Sequence, residues 1–183
     1  MKRRMVLITG GERSGKSSFA ERMALSLTDN PVYVATATVS DDEFRQRVLR
    51  HQRRRGPHWT KIEEPVHIDG LDLNGRVAVI DCVTLWLTNI LFSLSDNPDH
   101  ADVDKALAKA GEILRSLSEQ EAQLIFVTNE IGSGGVSPNP LQRRFADLQG
   151  WANQMIAGLA DEVWLVTCGI PMRIKPDNSP TLL

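Results

Sequence analysis

Five short apolar runs recur along the chain, and each is rich in β-branched residues. Runs of this length and composition are typical of strands buried in a parallel sheet. Stretches with apolar residues at helical spacing separate them, such as residues 17–27 and 103–117. Strands that alternate with helices predict an α/β fold with a central parallel sheet flanked by helices. The five predicted strands are residues 5–9, 31–37, 77–82, 124–128 and 163–168.

A further helix is predicted over residues 40–55. It starts with a capping box, in which the Ser40 side chain bonds to the N–H of Glu43 and the Glu43 side chain reaches back. Gly56 and Pro57 end it. Residues 45–55 contain six arginines and no acid. Charge runs usually face water, but guanidinium groups also match phosphate oxygens. The helix is therefore either a solvated face or a surface for an anionic ligand.

The composition predicts one globular domain over residues 1–183. Hydrophobic residues make up 42% of the chain and charged residues 24%, as in proteins with a single core. The net charge of -2 favours neither nucleic acid nor acidic membranes. The longest apolar segment, residues 83–92, is shorter than the roughly 20 residues that span a bilayer. We therefore expect a cytoplasmic protein without membrane insertion, with Cys82 and Cys168 as reduced core residues.

Residues 10–17 match the phosphate-binding pattern G-x-x-x-x-G-K-[ST]. The match lies directly after one predicted strand and opens one predicted helix, which is the context that the mechanism needs. Glycines let backbone N–H groups point at phosphate, Lys16 reaches the terminal phosphates, and the Ser17 hydroxyl can bind magnesium. A glycine turn without function is the alternative. The residues predicted to bind ATP or GTP here are Gly10, Gly11, Glu12, Arg13, Ser14, Gly15, Lys16 and Ser17.

A second side chain that could bind magnesium is expected at the end of a neighbouring strand. The run over residues 77–81 is apolar and ends in Asp81, the place at which P-loop enzymes carry an acidic partner for the metal. Aspartate is also a favoured helix cap, so Asp81 is either a metal group, a cap for the helix that follows at Val83, or both.

His51 lies among the arginines of the basic helix. Neighbouring positive charge disfavours the imidazolium form, so His51 is expected to be neutral and nucleophilic near pH 7. It is a candidate to attack an α-phosphorus. A hydrogen-bonding or packing role is the alternative, because one histidine near a basic patch carries little information alone.

Several segments together resemble one family, the bifunctional adenosylcobinamide kinases and adenosylcobinamide-phosphate guanylyltransferases of cobalamin biosynthesis. The resemblance extends from Met5 to about Lys175, and the ordered set is more specific than a P-loop alone. The matching pieces are residues 10–17, 33–37, 41–43, Arg50-His51, Trp59, Glu63, Thr88-Asn89, 128–130, Arg144-Phe145, Asp147, Asn153-Gln154 and 160–163.

The resemblance implies two reactions. ATP or GTP phosphorylates the adenosylcobinamide hydroxyl, and GMP from GTP is then transferred to that phosphate through a phosphoramidate on a histidine, which His51 matches. It also implies a RecA-like P-loop NTPase core and a homotrimer. The Mg²⁺ cofactor is expected from the P-loop residues themselves, with Ser17 and Asp81 as its groups. The further positions implied near the guanine nucleotide are Val39, Ser40, Asp41, Gln52, Arg53, Arg54, Arg55, Glu63 and Thr84.

Two other functions remain open from the residues. One is a P-loop kinase of a different small molecule, with the basic helix as a phosphate clamp. The other is a nucleotide-dependent nucleic-acid-binding protein, which is disfavoured because aromatic residues are 5% of the chain and stacking partners are therefore few. Asn129, Glu130 and Trp86 are candidates for the corrinoid site, with a helix cap, a surface carboxylate and a core aromatic as their respective alternatives.

Overall fold

A seven-stranded sheet forms the centre of the protein in a computed structural model that describes residues 2–38, 56–94 and 102–176. Its strand order is β3-β2-β4-β5-β1-β6-β7. The first six strands pair in parallel, and β7 pairs antiparallel with β6. The strands are β1 (Arg4–Thr9), β2 (Val32–Ala35), β3 (Thr60–Glu63), β4 (Val77–Asp81), β5 (Gln123–Val127), β6 (Glu162–Thr167) and β7 (Ile170–Lys175).

The five predicted parallel strands are confirmed as β1, β2, β4, β5 and β6, with ends that differ by one or two residues. The fold adds two strands that the pattern did not indicate, β3 and β7, and they form the two edges of the sheet. β1 lies between β5 and β6, so the loop that follows β1 emerges near the middle of the sheet's carboxyl edge. This is where ligands bind in open parallel sheets.

Helices cover both faces of the sheet, because alternate side chains of its buried strands are apolar on each face. Val6, Ile8, Val79 and Val127 pack on one face around α1, whereas the other face carries the larger core with Leu7, Ile80 and Phe126. The helices are α1 (Lys16–Leu27), α2 (Val83–Ser93), α3 (Val103–Glu119) and α4 (Pro140–Leu159). Of the predicted helices, 17–27 and 103–117 are confirmed, and 40–55 lies outside the described residues.

The start of α4 shows why a polar segment becomes a long helix. Asn139 is its N-cap, and the Asn139 side chain accepts hydrogen bonds from the N–H groups of Leu141 and Gln142. Pro140 occupies the first turn, where its fixed φ suits a helix and its missing N–H costs no bond. Within the described part of the chain, no helix combines the length and apolarity that crossing a membrane requires.

A tight hairpin joins β6 to β7 next to the loop after β1. Its two central residues, Cys168 and Gly169, have φ angles of 53° and 80°, as in the turns that match strand twist. The Gly169 N–H donates to the carbonyl oxygen of Ser14 at 2.9 Å. The expectation that Cys168 fills the core is wrong, because the turn holds Cys168 exposed. The hairpin instead braces the loop of residues 10–15.

Candidate active site

The loop between β1 and α1 has the backbone of a phosphate cradle. Gly10 and Gly15 have φ angles of 151° and 98°, which glycine adopts without strain. Gly15 is also the N-cap of α1, so the N–H groups of the first helical turn face the loop. Among the described residues, Ser14 Oγ is buried without a hydrogen-bond partner. These features together suit a bound anion.

Lys16 lies in the first turn of α1 and is 7% exposed. Its Nζ donates to the carbonyl oxygen of Gly11 at 2.7 Å, which bends the side chain over the loop. Burial lowers the pKa of Lys16, while the negative charge of Asp81 opposes that change. A buried ammonium group with this loop beneath it is well placed to neutralise phosphate charge.

A cavity of about 510 Å³ opens over the loop, and its lining comes from the carboxyl ends of three strands. It brings together residues predicted separately from sequence, the loop, Asp81 and Thr84. The lining residues are Glu12, Arg13, Ser14, Gly15, Lys16, Ser17, Ser18, Asp81, Cys82, Thr84, Leu85, Val127, Asn129, Glu130 and Ile131. A volume of this size is typical of small-ligand sites.

Asp81 ends β4 on the face that carries α1. Its Oδ2 accepts a hydrogen bond of 2.8 Å from the Tyr33 hydroxyl. The alternative role as helix cap is not observed, because the N-cap of α2 is Cys82 and no side chain caps that end. Burial, followed by the charge of Asp81, raises the pKa of the Cys82 thiol to about 12. Cys82 is therefore a neutral wall of the cavity and not a nucleophile.

The oxygen groups of Ser17 and Asp81 fit magnesium, which prefers hard oxygen ligands and usually takes only one or two from protein. Both residues line the same cavity. The described residues contain no group of three or more His, Cys, Asp or Glu that could hold a metal alone.

A polar network supports the wall of the cavity after β5. Thr84 Oγ1 accepts bonds from the backbone and side-chain nitrogens of Asn129, at 3.2 and 3.1 Å. Thr128 Oγ1 donates to Asn153 Oδ1 at 2.7 Å and accepts from Gln149 at 2.8 Å. The loop after β5 is thereby tied to both α2 and α4.

Several wall residues were not predicted from the sequence. Asn129 and Glu130 were expected only as candidates for a corrinoid site and Leu85 and Ile131 had no predicted role, yet all four line this cavity. Asn129, Glu130 and Ile131 reach the cavity because β5 lies beside β1, and Leu85 because it follows β4, the next strand of the sheet; local sequence pattern does not indicate either position. Trp86 is fully buried and donates to the Val66 carbonyl, so it is a core aromatic.

Not every predicted site residue is brought to the cavity. Glu63 is exposed at the end of the edge strand β3, beside Ala35, and is not among the lining residues. Gly10 and Gly11, at the start of the loop, are also not among the lining residues. The other predicted positions that do not line the cavity lie outside the described residues. These are Val39, Ser40, Asp41, His51, Gln52, Arg53, Arg54 and Arg55.

Asn89 on α2 binds the segments that follow β2 and β3. The Asn89 side-chain nitrogen donates to the carbonyl oxygens of Thr36 and Pro65, at 2.7 and 3.0 Å. Asn89 Oδ1 accepts from Thr38 Oγ1 at 3.0 Å. Thr36 Oγ1 in turn donates to the Cys82 carbonyl at 2.8 Å. One side chain thus ties the segments that leave β2 and β3 to the helix beside the cavity.

Known proteins resemble this chain along almost its whole length. The model of the family described as cobinamide kinase / cobinamide phosphate guanyltransferase matches residues 6–174. The bifunctional adenosylcobalamin biosynthesis protein CobU of Escherichia coli K12 is 37% identical, over 93% of this chain and 99% of that protein. The protein of the same description from Salmonella typhimurium is 40% identical over 93% and 99%. CobP of Pseudomonas aeruginosa is 39% identical over 92% and 96%.

A solved structure from Pyrococcus horikoshii OT3 shares the fold. It has a TM-score of 0.52 and 9% identity, and the match covers 96% of this chain and 90% of that one. The predicted α/β fold with a mostly parallel sheet flanked by helices is confirmed by the sheet and by this likeness. With a phosphate cradle at the carboxyl edge and a family match from residue 6 to residue 174, the chain belongs to the CobU family of cobinamide kinase / cobinamide phosphate guanyltransferase transferases.

Proposed function

We propose that this chain phosphorylates adenosylcobinamide with ATP or GTP and then transfers GMP from GTP to adenosylcobinamide phosphate, giving adenosylcobinamide-GDP. The observation that carries the proposal is the single cavity that collects the P-loop, buried Lys16 and Asp81 in a chain matched by the family along residues 6–174. The relatives are described as bifunctional adenosylcobalamin biosynthesis proteins, which supports two reactions in one chain.

The phosphate cradle acts by holding charge in place. The loop N–H groups and the Lys16 ammonium group stabilise the negative charge that develops on the transferred and leaving phosphates, which is the main source of catalysis in phosphoryl transfer. Ser17 and Asp81 would hold Mg²⁺, which supplies further charge neutralisation when bound. Burial keeps water from competing for Lys16, so the interaction with phosphate is stronger than at a surface.

The guanylyl step uses His51 as nucleophile. A ring nitrogen of His51 attacks the α-phosphorus of GTP, the bond from that phosphorus to the bridging oxygen breaks, and pyrophosphate leaves. An oxygen of adenosylcobinamide phosphate then attacks the same phosphorus and displaces the histidine. Dividing the transfer at a covalent intermediate replaces one difficult step with two easier displacements. We assign contacts with the guanine nucleotide to Val39, Ser40, Asp41, Gln52, Arg53, Arg54, Arg55, Glu63 and Thr84.

The test of this proposal is to incubate the protein with Mg²⁺ and α-labelled GTP and to analyse the peptide that contains His51. We expect an acid-labile GMP adduct in the wild type and in His58→Ala, a control at an exposed histidine. We expect none in His51→Ala, although that variant should still bind GTP. Guanylyl transfer by His51→Ala would refute the covalent mechanism.

The kinase half is tested separately with γ-labelled ATP or GTP and adenosylcobinamide. Transfer of label to the corrinoid supports the proposal. A protein that binds nucleotide but phosphorylates only a different small molecule would be a P-loop kinase of another substrate. Steeply salt-dependent binding to oligonucleotides would indicate the nucleic-acid alternative.

We also infer one domain over residues 1–183 that assembles as a cytoplasmic homotrimer. Apolar side chains on β7 and α4 support assembly, since Ile170, Met172 and Trp151 are 65, 47 and 44% exposed and such groups are often covered by a partner. Light scattering of the purified protein measures the oligomeric state. A monomer at micromolar concentration would refute this part.

A further inference from the structure

Tyr33 is the single tyrosine of the chain, and it lies against the carboxylate at the cavity. It belongs to β2, next to β4, and is 6% exposed. The Tyr33 hydroxyl donates to Asp81 Oδ2 at 2.8 Å. Its ring packs edge-on against buried Trp59, with centroids 6.0 Å apart. The ring is therefore fixed by the core, while the hydroxyl reaches the functional carboxylate.

Packing alone does not require this hydroxyl. A phenylalanine would make the same edge-on contact with Trp59 and would bury no polar atom, whereas a buried tyrosine hydroxyl needs a hydrogen-bond partner. The hydroxyl donates to Asp81, which lines the cavity together with Ser17 and Lys16. The hydroxyl therefore acts on the orientation of a carboxylate in the site.

The bond has a directional consequence for Asp81. A carboxylate that accepts a bond from a rigid donor at one oxygen loses rotational freedom and presents its other oxygen on the opposite side. Tyr33 engages Oδ2, so in this arrangement Oδ1 is the oxygen that would contact a cation. Ligating carboxylates are commonly held in this way by outer hydrogen bonds, and loss of such a bond typically weakens metal affinity by about 10-fold to 100-fold.

We propose that Tyr33 is a positioning residue that holds Asp81 for the magnesium–nucleotide complex through the bond from its hydroxyl to Oδ2. This inference rests on the proposed role of Asp81 in holding magnesium. It assigns to β2 a part in metal binding that neither its apolar sequence pattern nor the P-loop motif indicates.

The first test measures metal affinity and not turnover. Mn²⁺ is titrated, with detection by electron paramagnetic resonance, into protein saturated with a non-hydrolysable GTP analogue. We expect Tyr33→Phe to raise the dissociation constant for Mn²⁺ by about 10-fold, with binding of the analogue in EDTA unchanged. Trp59→Phe is the matched control, because it disturbs the ring packing and leaves the hydroxyl, and it should bind Mn²⁺ like the wild type.

A double-mutant cycle shows whether Tyr33 acts through Asp81. If it does, Asp81→Asn weakens Mn²⁺ binding, and adding Tyr33→Phe to that variant produces no further loss. Wild-type Mn²⁺ affinity in Tyr33→Phe, with weak binding in Asp81→Asn, would overturn the inference and leave the metal role of Asp81 intact. Wild-type affinity in Asp81→Asn would overturn both. Independent losses would also contradict a positioning role.

A second measurement keeps the native side chain almost unchanged. Because the chain has one tyrosine, growth with 3-fluorotyrosine places a single ¹⁹F label at position 33. Addition of Mg²⁺ to the labelled complex with the GTP analogue should shift that resonance, and the shift should vanish in Asp81→Asn. A resonance that does not respond to Mg²⁺ in labelled wild-type protein would refute the coupling between Tyr33 and the metal site.

Discussion

The two adjacent glycines at the start of the P-loop should respond to the same substitution with very different losses of stability. A Cβ built on Gly10 lies 2.3 Å from the Val166 carbonyl oxygen and 2.9 Å from Ser14 Oγ, whereas carbon–oxygen contacts normally begin at about 3.3 Å. Gly10 also has a φ of 151°, which strains residues with a side chain. A Cβ on Gly11 meets nothing within 4 Å.

The expected cost of Gly10→Ala has two parts. The backbone conformation costs about 1–3 kcal/mol, and overpacking against rigid β6 costs about 1–3 kcal/mol more. At about 2–4 °C per kcal/mol for a chain of this size, the melting temperature should fall by at least about 4 °C. Nucleotide affinity should fall as well, because Gly10 anchors the loop and its carbonyl accepts the Glu130 N–H at 3.0 Å.

The assay is differential scanning calorimetry of wild type, Gly10→Ala and Gly11→Ala, with isothermal titration of GTP into each. Gly11→Ala should melt within about 2 °C of the wild type, since it adds a methyl group to open space and such changes are usually within about 0.5 kcal/mol. Equal melting temperatures for the two variants would refute the argument from Val166. Normal GTP affinity in Gly10→Ala would refute the role of Gly10 in shaping the cradle.

Three further variants test other parts of the site. Lys16→Met should reduce kcat/KM by at least about 100-fold. Burial lowers the pKa of Lys16, so at a pH below the pKa that this lysine has in the unfolded chain its charged form destabilises the free protein, and at pH 7 the variant should melt at a higher temperature than the wild type. This difference in melting temperature should disappear as the pH rises through the folded-state pKa and then the unfolded-state pKa of Lys16. A lower melting temperature at pH 7 would contradict this. Asn89→Ala should lower the free energy of unfolding in urea by about 2–4 kcal/mol, because it leaves the Thr36 and Pro65 carbonyls without their donor. A loss below about 1 kcal/mol would contradict a stabilising role for these two hydrogen bonds. A thiol reagent at pH 8 should modify exposed Cys168 quickly and Cys82 slowly, since the pKa of Cys82 is about 12, and a fast phase that persists in Cys168→Ser would refute that assignment.

The sequence predicted those strands whose apolar pattern matches their burial in the folded protein. The apolar runs of β1, β4 and β5 are buried on both faces, so composition alone identified them. β3 was missed because its edge position leaves Lys61 and Glu63 exposed, and a half-polar run of four residues carries little signal. An edge strand needs fewer apolar side chains than a central strand, so its sequence is harder to recognise as a strand.

The β6–β7 turn shows a different reason for failure. The apolar run that ends at Cys168 continues the pattern of β6, so Cys168 was expected in the core. Gly169 follows directly and allows a two-residue turn with positive φ, which reverses the chain before Cys168 can enter the sheet. The turn chemistry was present in sequence, but the apolar pattern was given more weight.

The candidate site was predictable where a motif has a fixed geometry. Residues 12–17 and Asp81 line one cavity, because a loop after β1 and the end of a nearby parallel strand meet at the carboxyl edge of the sheet. Asn129, Leu85 and Ile131 line the cavity because of the order of the strands in the sheet. Local sequence pattern does not predict strand order. The bond from Tyr33 to Asp81 is similarly a product of strand adjacency.

The placement of β6 beside β1 bears on how the chain is made. Met5 and Asp161, which are linked by hydrogen bonds, are 156 residues apart, and the P-loop receives its brace from Gly169. During synthesis the cradle therefore emerges early but cannot be completed until the hairpin has left the ribosome. Such distant pairings make folding slow and leave strand edges open meanwhile. A nascent chain should thus acquire nucleotide affinity abruptly and late, and should depend on chaperones until then.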